Sequence, residues 1–264
     1  MVEAVDVGKI IAIHSYKGGT GKTLLTVNLA ATYSRRGKRV CALDLDFRAP
    51  SLQSIFKLNG SEYWLNDYLN GACEINKVLI DYTPQCKCSG QMLVGLANPA
   101  TEALRDMSSK DRKWEMRALG RLLSLKNTLL NDMELDYLLL DTSPGLQYSS
   151  INAIVSADVV LVITTIDASD MEGTKRMTHE LYDLFEKKAG ILMNKVPIEF
   201  LSTPEDADGV LKRFENTHTL PVLKVIPCYC DVLRASGTKI FARDEPEHPF
   251  TKHLDDIASK VDAF

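Results

Sequence analysis

The chain has 264 residues, of which 45% are hydrophobic, and its formal net charge is -4 at pH 7. This length supports one sizeable core, so we expect a single domain over residues 1–264. The small net negative charge excludes a protein whose whole surface is basic and wraps nucleic acid. Six cysteines are too few for a disulfide scaffold, no apolar run reaches the roughly 20 residues that span a bilayer, and no signal-peptide pattern opens the chain, which together predict a cytoplasmic protein.

Short runs rich in valine, isoleucine and leucine predict strands that are buried on both faces. These runs are residues 10–15, 39–46, 91–97, 136–141, 158–165, 190–195 and 222–227. The stretches between them have helical periodicity, over residues 21–36, 110–132, 146–156, 171–188 and 204–217. This alternation predicts an α/β fold with a doubly wound, mostly parallel sheet and helices on both faces.

Two segments depart from the alternation. Residues 78–97 contain two strand-like runs around a short turn-rich segment, which predicts a hairpin at a sheet edge. Residues 200–209, FLSTPEDADG, are rich in turn-forming and acidic residues and predict a surface loop before a helix.

The first predicted strand runs into HSYKGGTGKT, residues 14–23, and then into a predicted helix. A strand, a glycine-rich loop and a helix in this order are the context of a phosphate-binding loop. Glycines let backbone N–H groups approach phosphate oxygens, Lys22 can reach the β- and γ-phosphates, and the Thr23 hydroxyl can hold Mg²⁺. The residues predicted to bind nucleotide here are Gly18, Gly19, Thr20, Gly21, Lys22, Thr23 and Leu24.

A second lysine, Lys17, lies in the same loop, and the run KGGTGKT resembles the deviant Walker A motif of the ParA/MinD family of ATPases. In that family the first lysine crosses a dimer interface to the nucleotide of the partner subunit, so the resemblance implies that Lys17 acts in trans in an ATP-bound homodimer. A cation at the transferring phosphoryl group would stabilise its transition state. The alternative is that Lys17 contacts only its own loop or solvent. Leu24 departs from the family, which often has Thr or Ser there.

Two segments carry the predicted metal and water chemistry. Asp44 and Asp46 end a strand two residues apart and therefore point to the same side of an extended chain. By the family resemblance, Asp46 orients the attacking water and Asp44 helps to hold the Mg²⁺ hydration shell. Asp141 ends the strand in DYLLLDTSPGL and resembles the family's Walker B acid, with the Pro144-Gly145 turn as a mobile second switch. Mg²⁺ keeps several waters, so Asp141 is predicted to accept from a metal-bound water.

Asn194 and Lys195 end another predicted strand, and the acid that guanine-specific proteins place two residues after the lysine is replaced by Pro197. This favours ATP, and by resemblance Asn194 contacts adenine; the alternative is that it only caps the strand end. Pro227 and Cys228 resemble the family segment that lines the adenine pocket.

The cysteines include two Cys-x-Cys pairs, Cys86/Cys88 and Cys228/Cys230, and thiolates suit soft metals. Some metallochaperone relatives hold a metal between subunits with such a pair. Cys86 and Cys88, however, precede a strand and should lie at the end of the sheet opposite the nucleotide, which weakens the analogy. Cys228 and Cys230 can share one face of an extended segment simply through packing.

Lys113, Arg117 and Arg121 recur every four residues and form a basic stripe, with Leu119, Leu122, Leu123 and Leu129 expected toward the core. Such a stripe is either a solvated helix face or a contact for DNA or an acidic partner. Residues 248–264 carry three aspartates without a basic cluster, which predicts a packing helix rather than the membrane-targeting tail of MinD-type relatives.

The resemblance covers nearly the whole chain. It implies a Mg²⁺-dependent ATPase that forms an ATP-bound dimer, acts as a positioning or partition protein and hydrolyses slowly until a partner protein stimulates it, with nonspecific DNA as a candidate ligand. Two alternatives remain from the sequence: a metallochaperone or metal-cluster assembly ATPase that uses a Cys-x-Cys pair, and an ATP-dependent regulator that acts through protein contacts alone.

Overall fold

The computed structural model describes residues 8–58, 60–182, 185–215, 219–235 and 237–264. These residues form one sheet whose strands are β1 Lys9–His14, β2 Arg39–Leu45, β3 Leu79–Asp81, β4 Gln91–Gly95, β5 Tyr137–Thr142, β6 Val159–Thr164, β7 Lys188–Val196 and β8 Val222–Pro227. The strand order is β3-β4-β2-β5-β1-β6-β7-β8. All neighbouring pairs except β3 and β4 are parallel, which confirms the predicted mostly parallel sheet.

The central strands are mostly apolar because both faces of the sheet are covered. Every residue of β5 and of β6 is buried, and β1 pairs with both of them. Strands that are buried on both faces favour continuous Val, Ile and Leu over alternation. Because β1, β2 and β5 run parallel, their carboxyl ends lie at the same end of the sheet, where the phosphate loop and the predicted acids lie.

The helices are α1 Lys22–Arg35, α2 Leu52–Phe56, α3 Leu65–Asn70, α4 Thr83–Cys86, α5 Thr101–Ser108, α6 Arg112–Leu125, α7 Tyr148–Ser156, α8 Ala168–Met177, α9 Pro204–Glu215, α10 Cys230–Arg234, α11 Phe241–Asp244 and α12 Pro249–Asp262. Helices α1, α11 and α12 pack on one face of the sheet, whereas α6, α7 and α8 pack on the other. Each face has its own apolar cluster, as a doubly wound sheet requires.

The predicted edge hairpin is confirmed. Strand β3 pairs with β4 in antiparallel register, and the short helix α4 lies between them. Cys86 ends α4, and Lys87 follows with a left-handed backbone, φ 54°. Strand β3 is the edge strand of the sheet, and β4 pairs with β2. Cys86 and Cys88 precede β4 and lie at the amino ends of β2 and β4, as predicted.

Three local predictions were wrong. Leu123 was expected in the core but is 49% exposed, because the buried stripe of α6 follows Trp114, Ala118, Leu122 and Leu125. The helix predicted over 171–188 begins earlier, at Ala168, and continues as a π-helical turn to Tyr182. Residues 183 and 184 lie outside the described part, residues 185–187 are not helical, and Lys188 begins β7. Residues 200–209 are only partly a loop, since α9 begins at Pro204.

The last helix packs against the first, as its sequence predicts. His248 caps α12 by accepting the Phe250 N–H, and Pro249 occupies the first turn, where no intrahelical donor is needed. Phe250, Leu254 and Ile257 are buried in the cluster that α1 also joins. In the part of the chain that the structure describes, no helix is long and apolar enough to cross a membrane.

Candidate functional site

The glycine-rich loop joins the buried strand β1 to helix α1 and bends at two glycines with positive φ. Gly19 has φ 76° and Gly21 has φ 104°, values that residues with a β-carbon rarely adopt. A β-carbon on Gly21 would also lie 2.4 Å from the Asn194 amide nitrogen. The sequence therefore needs glycine at Gly21 both for the turn and for the close approach of β7.

Lys22 begins α1 and lies buried beneath the loop. Its Nζ donates to Ser15 Oγ at 2.8 Å, and Ser15 Oγ donates to the Lys17 carbonyl at 2.6 Å. Burial lowers the pKa of Lys22, while Asp141, Asp46 and Asp170 raise it. The ammonium group is thus held at the floor of the loop, opposite carboxylates, in the position that a phosphate-contacting lysine needs.

Asp44 holds the loop that follows β2. This buried carboxylate accepts backbone N–H bonds from Asp46 at 3.1 Å, from Ser51 at 3.1 Å and from Leu52 at 3.2 Å. Burial raises its pKa, and the nearby Asp141 raises it further. The structure therefore shows Asp44 as the organiser of the residue 46–52 loop, and its predicted contact with the Mg²⁺ hydration shell stays a prediction.

Asp46 connects the two loops that flank the phosphate loop. Its Oδ1 accepts from the Ser143 hydroxyl at 2.8 Å and from the backbone N–H groups of Arg48 and Ala49 at 3.3 and 3.2 Å. Ser143 belongs to the segment after β5 that carries the predicted second switch. Its role was not predicted from the sequence, although its place directly after Asp141 and Thr142 was a signal.

Asp141 has the features of a metal-site acid. It is fully buried, its Oδ1 accepts from the Thr26 hydroxyl at 3.2 Å, and its Oδ2 is buried without a hydrogen-bond partner among the described residues. Burial raises its pKa to about 7, and the Thr23 hydroxyl and Lys22 partly offset that rise. A buried carboxylate oxygen without a donor is costly. A water-coordinated divalent cation beside Thr23 would satisfy it, so these residues fit Mg²⁺.

The phosphate loop and Asp46 line a cavity of about 420 Å³ at the carboxyl ends of the strands. Its lining residues are Gly18, Gly19, Gly21, Lys22, Thr23, Leu24, Asp46, Arg48, Ala49, Ser51, Ser143, Pro144 and Gln147. This set brings together most of the phosphate-loop residues and Asp46 from the sequence analysis. Arg48, Ala49, Ser51 and Gln147 join them only through the fold.

Asn194 and Lys195 hold the phosphate loop from the end of β7. The buried Asn194 amide donates to the Thr20 carbonyl at 2.8 Å, and Lys195 Nζ donates to the Gly19 carbonyl at 2.7 Å. Lys195 adopts a left-handed backbone, φ 58°. The contact that the structure shows for Asn194 is therefore with the loop, and its predicted contact with adenine remains a prediction.

The other predicted base-binding residues lie at the end of β8. The Cys228 N–H donates to the Val196 carbonyl at 2.7 Å, which ties Pro227 and Cys228 to the end of β7. Neither residue lines the phosphate-loop cavity. Their proposed place beside the base would require a nucleotide that extends from this cavity toward β8.

Lys17 points away from its own loop toward the start of α8. Its Nζ forms an ion pair with Asp167 at 2.9 Å and donates to the Ser169 hydroxyl. Hydrogen bonds from Ser169 and Lys17 hold the pKa of Asp167 below its usual range. Because the side chains of Lys17 and Asp167 are 42% and 60% exposed, water screens the pair, and exchange of Lys17 to another anion costs little.

Tyr16 packs against α8 at a glycine. A β-carbon on Gly173 would lie 2.0 Å from Tyr16 Cε1, so the aromatic ring occupies the space that any larger residue would need. This explains Tyr16 at a position where a standard phosphate loop has glycine: the ring joins the loop to α8, the helix whose first turn Lys17 contacts.

We expect Gly173→Ala to destabilise the protein by roughly 1–3 kcal/mol, because the new methyl group displaces the ring. In a Tyr16→Ala background the same change should be neutral or slightly stabilising, since alanine favours a helix over glycine. Denaturant unfolding of the four proteins in this double-mutant cycle measures the coupling. Equal destabilisation in both backgrounds would show that the ring and the helix do not share this space.

His14, the last residue of β1, joins three parts of the site. Its Nδ1 lies 2.5 Å from the Tyr182 hydroxyl, and its Nε2 lies 2.9 Å from the Gly145 carbonyl in the second switch. The carbonyl must accept, so Nε2 carries the proton and Nδ1 accepts from Tyr182. Burial, opposed by the bond to Gly145 and assisted by the charge of Lys22, lowers the pKa of His14 to about 4, so the ring is neutral at pH 7.

This neutral histidine predicts acid sensitivity. The unfolded chain protonates His14 near the ordinary histidine pKa of 6.5 and the folded chain only near about 4, so stability falls as the pH drops through this window. Between pH 7 and pH 5 we expect the wild type to lose about 2 kcal/mol more than His14→Gln, whose amide keeps a donor and an acceptor. Denaturant unfolding at both pH values tests this. Identical losses in the two proteins would contradict it.

The basic stripe divides in the structure. Lys113 and Arg117 are exposed on α6, whereas Arg121 is half-buried with its guanidinium 5.3 Å from the Tyr68 ring centroid. The Tyr68 hydroxyl in turn donates to the Arg121 carbonyl at 2.8 Å. Arg121 thus contributes to packing between α3 and α6, and the solvent-facing basic surface consists of the other two residues.

The mostly parallel sheet has a glycine loop between β1 and α1, a buried lysine and a half-buried threonine at the helix start, and an acid at the end of β5. These features define a P-loop nucleoside triphosphatase. Residues 8–193 match a family model described as an AAA domain. The chain belongs to the ParA/MinD family of P-loop ATPases, which confirms the resemblance found in its sequence.

Several known proteins are similar to this chain over nearly its whole length. The septum site-determining protein MinD of Thermotoga maritima is 25% identical over 96% of this chain and 88% of its own length. The structure of MinD from Pyrococcus horikoshii complexed with Mg-ADP has a TM-score of 0.74 at 21% identity, covering 97% of this chain and 96% of that one. The MinC:MinD cell division protein complex of Aquifex aeolicus has a TM-score of 0.75 at 20% identity, covering 97% of both chains.

Proposed function

We propose that this chain is a Mg²⁺-dependent ATPase that switches between states as it binds and hydrolyses ATP. The observation that carries the proposal is the buried Oδ2 of Asp141, which has no hydrogen-bond partner among the described residues and lies beside Thr23, a residue that lines the cavity. Membership of the ParA/MinD family and the Mg-ADP held by the Pyrococcus horikoshii relative support it. Pro197, at the position where guanine-specific proteins have an acid, favours adenine over guanine.

Each side chain then has a defined task. The backbone N–H groups of the glycine loop bind phosphate oxygens, and Lys22 places its charge at the β- and γ-phosphates. Thr23, Asp44 and Asp141 would hold Mg²⁺, the two acids through water, and the metal when bound would neutralise phosphate charge. Asp46 orients the attacking water, and its bonds with Ser143 and the Arg48 N–H group fix the direction of its carboxylate.

Full catalysis requires a second subunit in this proposal. Lys17 leaves its exposed pair with Asp167 and extends to the nucleotide of the partner subunit, as the family resemblance implies. In the isolated chain that ammonium group points toward Asp167 and Ser169 at the start of α8 rather than toward its own phosphate loop. Slow hydrolysis by the monomer and faster hydrolysis by an ATP-bound homodimer follow from this arrangement.

We propose positioning or partition of a cargo as the output of the switch, with a protein partner that stimulates hydrolysis. The partner in the MinC:MinD complex of the relative supports a protein ligand of this kind. Nonspecific DNA is a further candidate ligand, because Lys113 and Arg117 form an exposed basic surface on α6. A regulator that acts through protein contacts alone is the remaining candidate with the same ATP switch.

A metallochaperone role has less support. Cys86 and Cys88 lie at the amino ends of the strands, away from the phosphate loop and from Lys17, which is the side that an ATP-bound dimer would share. A metal held by this pair would therefore not lie between the two subunits. The same ATP switch could still act on a metal elsewhere, which metal analysis of the purified protein would reveal.

Light scattering after size-exclusion chromatography tests the proposal. With Mg²⁺ and a non-hydrolysable ATP analogue the protein should elute as a dimer, and with ADP as a monomer; Lys22→Ala should stay monomeric with both. A short DNA duplex added at low salt should co-elute with the dimer and dissociate at moderate salt if DNA is the ligand. A monomer under every condition would contradict the proposed ATP-bound dimer. A dimer that does not bind DNA would contradict only the proposal that DNA is the ligand.

A further inference from the structure

The cysteines of the edge hairpin face a second cavity, which the ATPase function does not use. This cavity has a volume of about 680 Å³ and lies between the carboxyl end of α1, the α4 turn and α11. Its lining residues are Ala31, Arg35, Gln85, Cys86, Lys87, Cys88, Ala242, Arg243, Asp244 and Pro246. A cleft of this size is within the range that holds a small-molecule ligand.

The Cys86 and Cys88 side chains both line this cavity. Lys87, between them, has a left-handed backbone with φ 54°, which turns the chain sharply after α4 and brings both side chains to one place. Cys88 Sγ lies 2.7 Å from the Ser34 hydroxyl. A bond from the Gly90 N–H to the Ser34 carbonyl at 2.9 Å keeps the turn against α1.

The two thiols differ in accessibility. Cys86 is buried, and burial raises its pKa to about 12. Cys88 is only half-buried, so it is the thiol that a reagent in the cavity meets first. An accessible thiol that can attack a disulfide reagent, beside a buried thiol that can complete the exchange, is the arrangement of a redox-active dithiol.

The charges around the thiols favour an anionic reagent. Arg35, Lys87 and Arg243 line the cavity, together with one carboxylate, Asp244. Arg243 holds Asp244 through two bonds of 2.7 and 3.0 Å, and Arg35 holds Asp255. Lys87 is exposed at the rim. The same positive charges disfavour a bound metal cation.

We propose that Cys86 and Cys88 form a redox-active dithiol that exchanges with a small disulfide bearing carboxylates, of the glutathione disulfide class. The Cys88 thiolate attacks one sulfur of the reagent, the reagent's S–S bond breaks, and one thiolate leaves to take up a proton. Cys86 then loses its proton to solvent and attacks Cys88 Sγ, which releases the second thiolate. Two electrons pass from the protein to the reagent, giving one protein disulfide and two small thiols. This site is independent of the proposed ATPase function.

The second Cys-x-Cys pair provides an internal comparison. Tyr229 between Cys228 and Cys230 is extended, with φ -93° and ψ 118°, so no sharp turn brings these thiols together. Cys230 is exposed and thus more accessible than Cys88. If exposure alone controlled reactivity, Cys230 would react first and no internal disulfide would form.

The test uses full-length protein with Cys228→Ser and Cys230→Ser. The cysteines that remain are Cys86 and Cys88, together with Cys41 and Cys73, which are buried. After incubation with glutathione disulfide, we expect mass spectrometry to show the loss of two hydrogens and peptide mapping to locate a Cys86–Cys88 disulfide. Adding Cys86→Ser should stop the reaction at one glutathione adduct on Cys88, and adding Cys88→Ser should prevent both products. Unchanged protein, or an adduct that never resolves when Cys86 is present, would overturn the dithiol.

A charge variant tests the class of reagent. Asparagine tolerates a left-handed backbone, so Lys87→Asn removes the rim charge without disturbing the turn. We expect this variant to react roughly threefold more slowly with glutathione disulfide and no more slowly with the cationic disulfide cystamine. Equal slowing with both reagents would contradict the preference for an anionic reagent. The formation of the Cys86–Cys88 disulfide is tested separately by the cysteine variants.

Discussion

Lys17→Ala should lower ATP turnover by about 10³-fold while it changes ATP affinity only a few-fold, because a cation supplied to the phosphoryl group acts on the transition state. The structure provides the reason for expecting intact binding: Lys17 contacts Asp167 and Ser169, and the floor of the cavity is formed by Lys22 and the glycine loop. Steady-state hydrolysis and fluorescent-nucleotide titration measure the two effects separately. Asp167→Asn, which frees Lys17 without removing it, is the matched control and should retain turnover.

Mixed dimers decide whether Lys17 acts across the interface. Lys17→Ala and Asp46→Ala should each be inactive alone. In a mixed dimer, the site of the Lys17→Ala subunit keeps its own Asp46 and receives Lys17 from the other subunit, so one site is complete. An equal mixture should recover roughly a quarter of wild-type turnover if subunits exchange freely. A mixture that stays inactive, although it dimerises, would mean that Lys17 acts only within its own subunit.

Asp46→Ala should reduce hydrolysis by about 10²–10⁴-fold and accumulate the ATP-bound dimer, because loss of the water-orienting carboxylate slows only the chemical step. The carboxylate also holds Ser143 and the Arg48 N–H group, so the same change could loosen the loop. Asp46→Asn separates these effects, since its amide oxygen can still accept those bonds but lacks the negative charge. Light scattering with Mg²⁺-ATP measures the dimer, and phosphate release measures turnover.

Ser143→Ala is the matched control for this second prediction. It removes the 2.8 Å bond to Asp46 and leaves the carboxylate in place. We expect a loss of turnover that is at least tenfold smaller than that of Asp46→Asn. If Ser143→Ala were as inactive as Asp46→Asn, the bridge between the two loops would be the essential feature and Asp46 would act mainly as its anchor.

Local patterns in the sequence determined the class of protein. Buried strands appear as continuous apolar runs because both faces of the sheet are covered, and β5 and β6 were found where those runs lie. The phosphate loop is a contiguous segment whose glycine spacing follows from backbone geometry, so its residues could be assigned from the sequence alone. The short helices α2, α3, α5, α10 and α11 were not predicted, since helices of 4–8 residues carry little periodicity.

Contacts between distant segments were decided only by the tertiary structure. Lys17 and Asp167 are 150 positions apart, Asn194 and the Thr20 carbonyl 174, and His14 and Tyr182 168. No local spacing encodes such pairs, because they depend on the order in which the strands are placed in the sheet, with β1 between β5 and β6 and β7 next to β6. The sequence by itself therefore determined the place of the glycine loop between β1 and α1, whereas the packing of β1, β7 and α8 decided what holds that loop and where Lys17 lies.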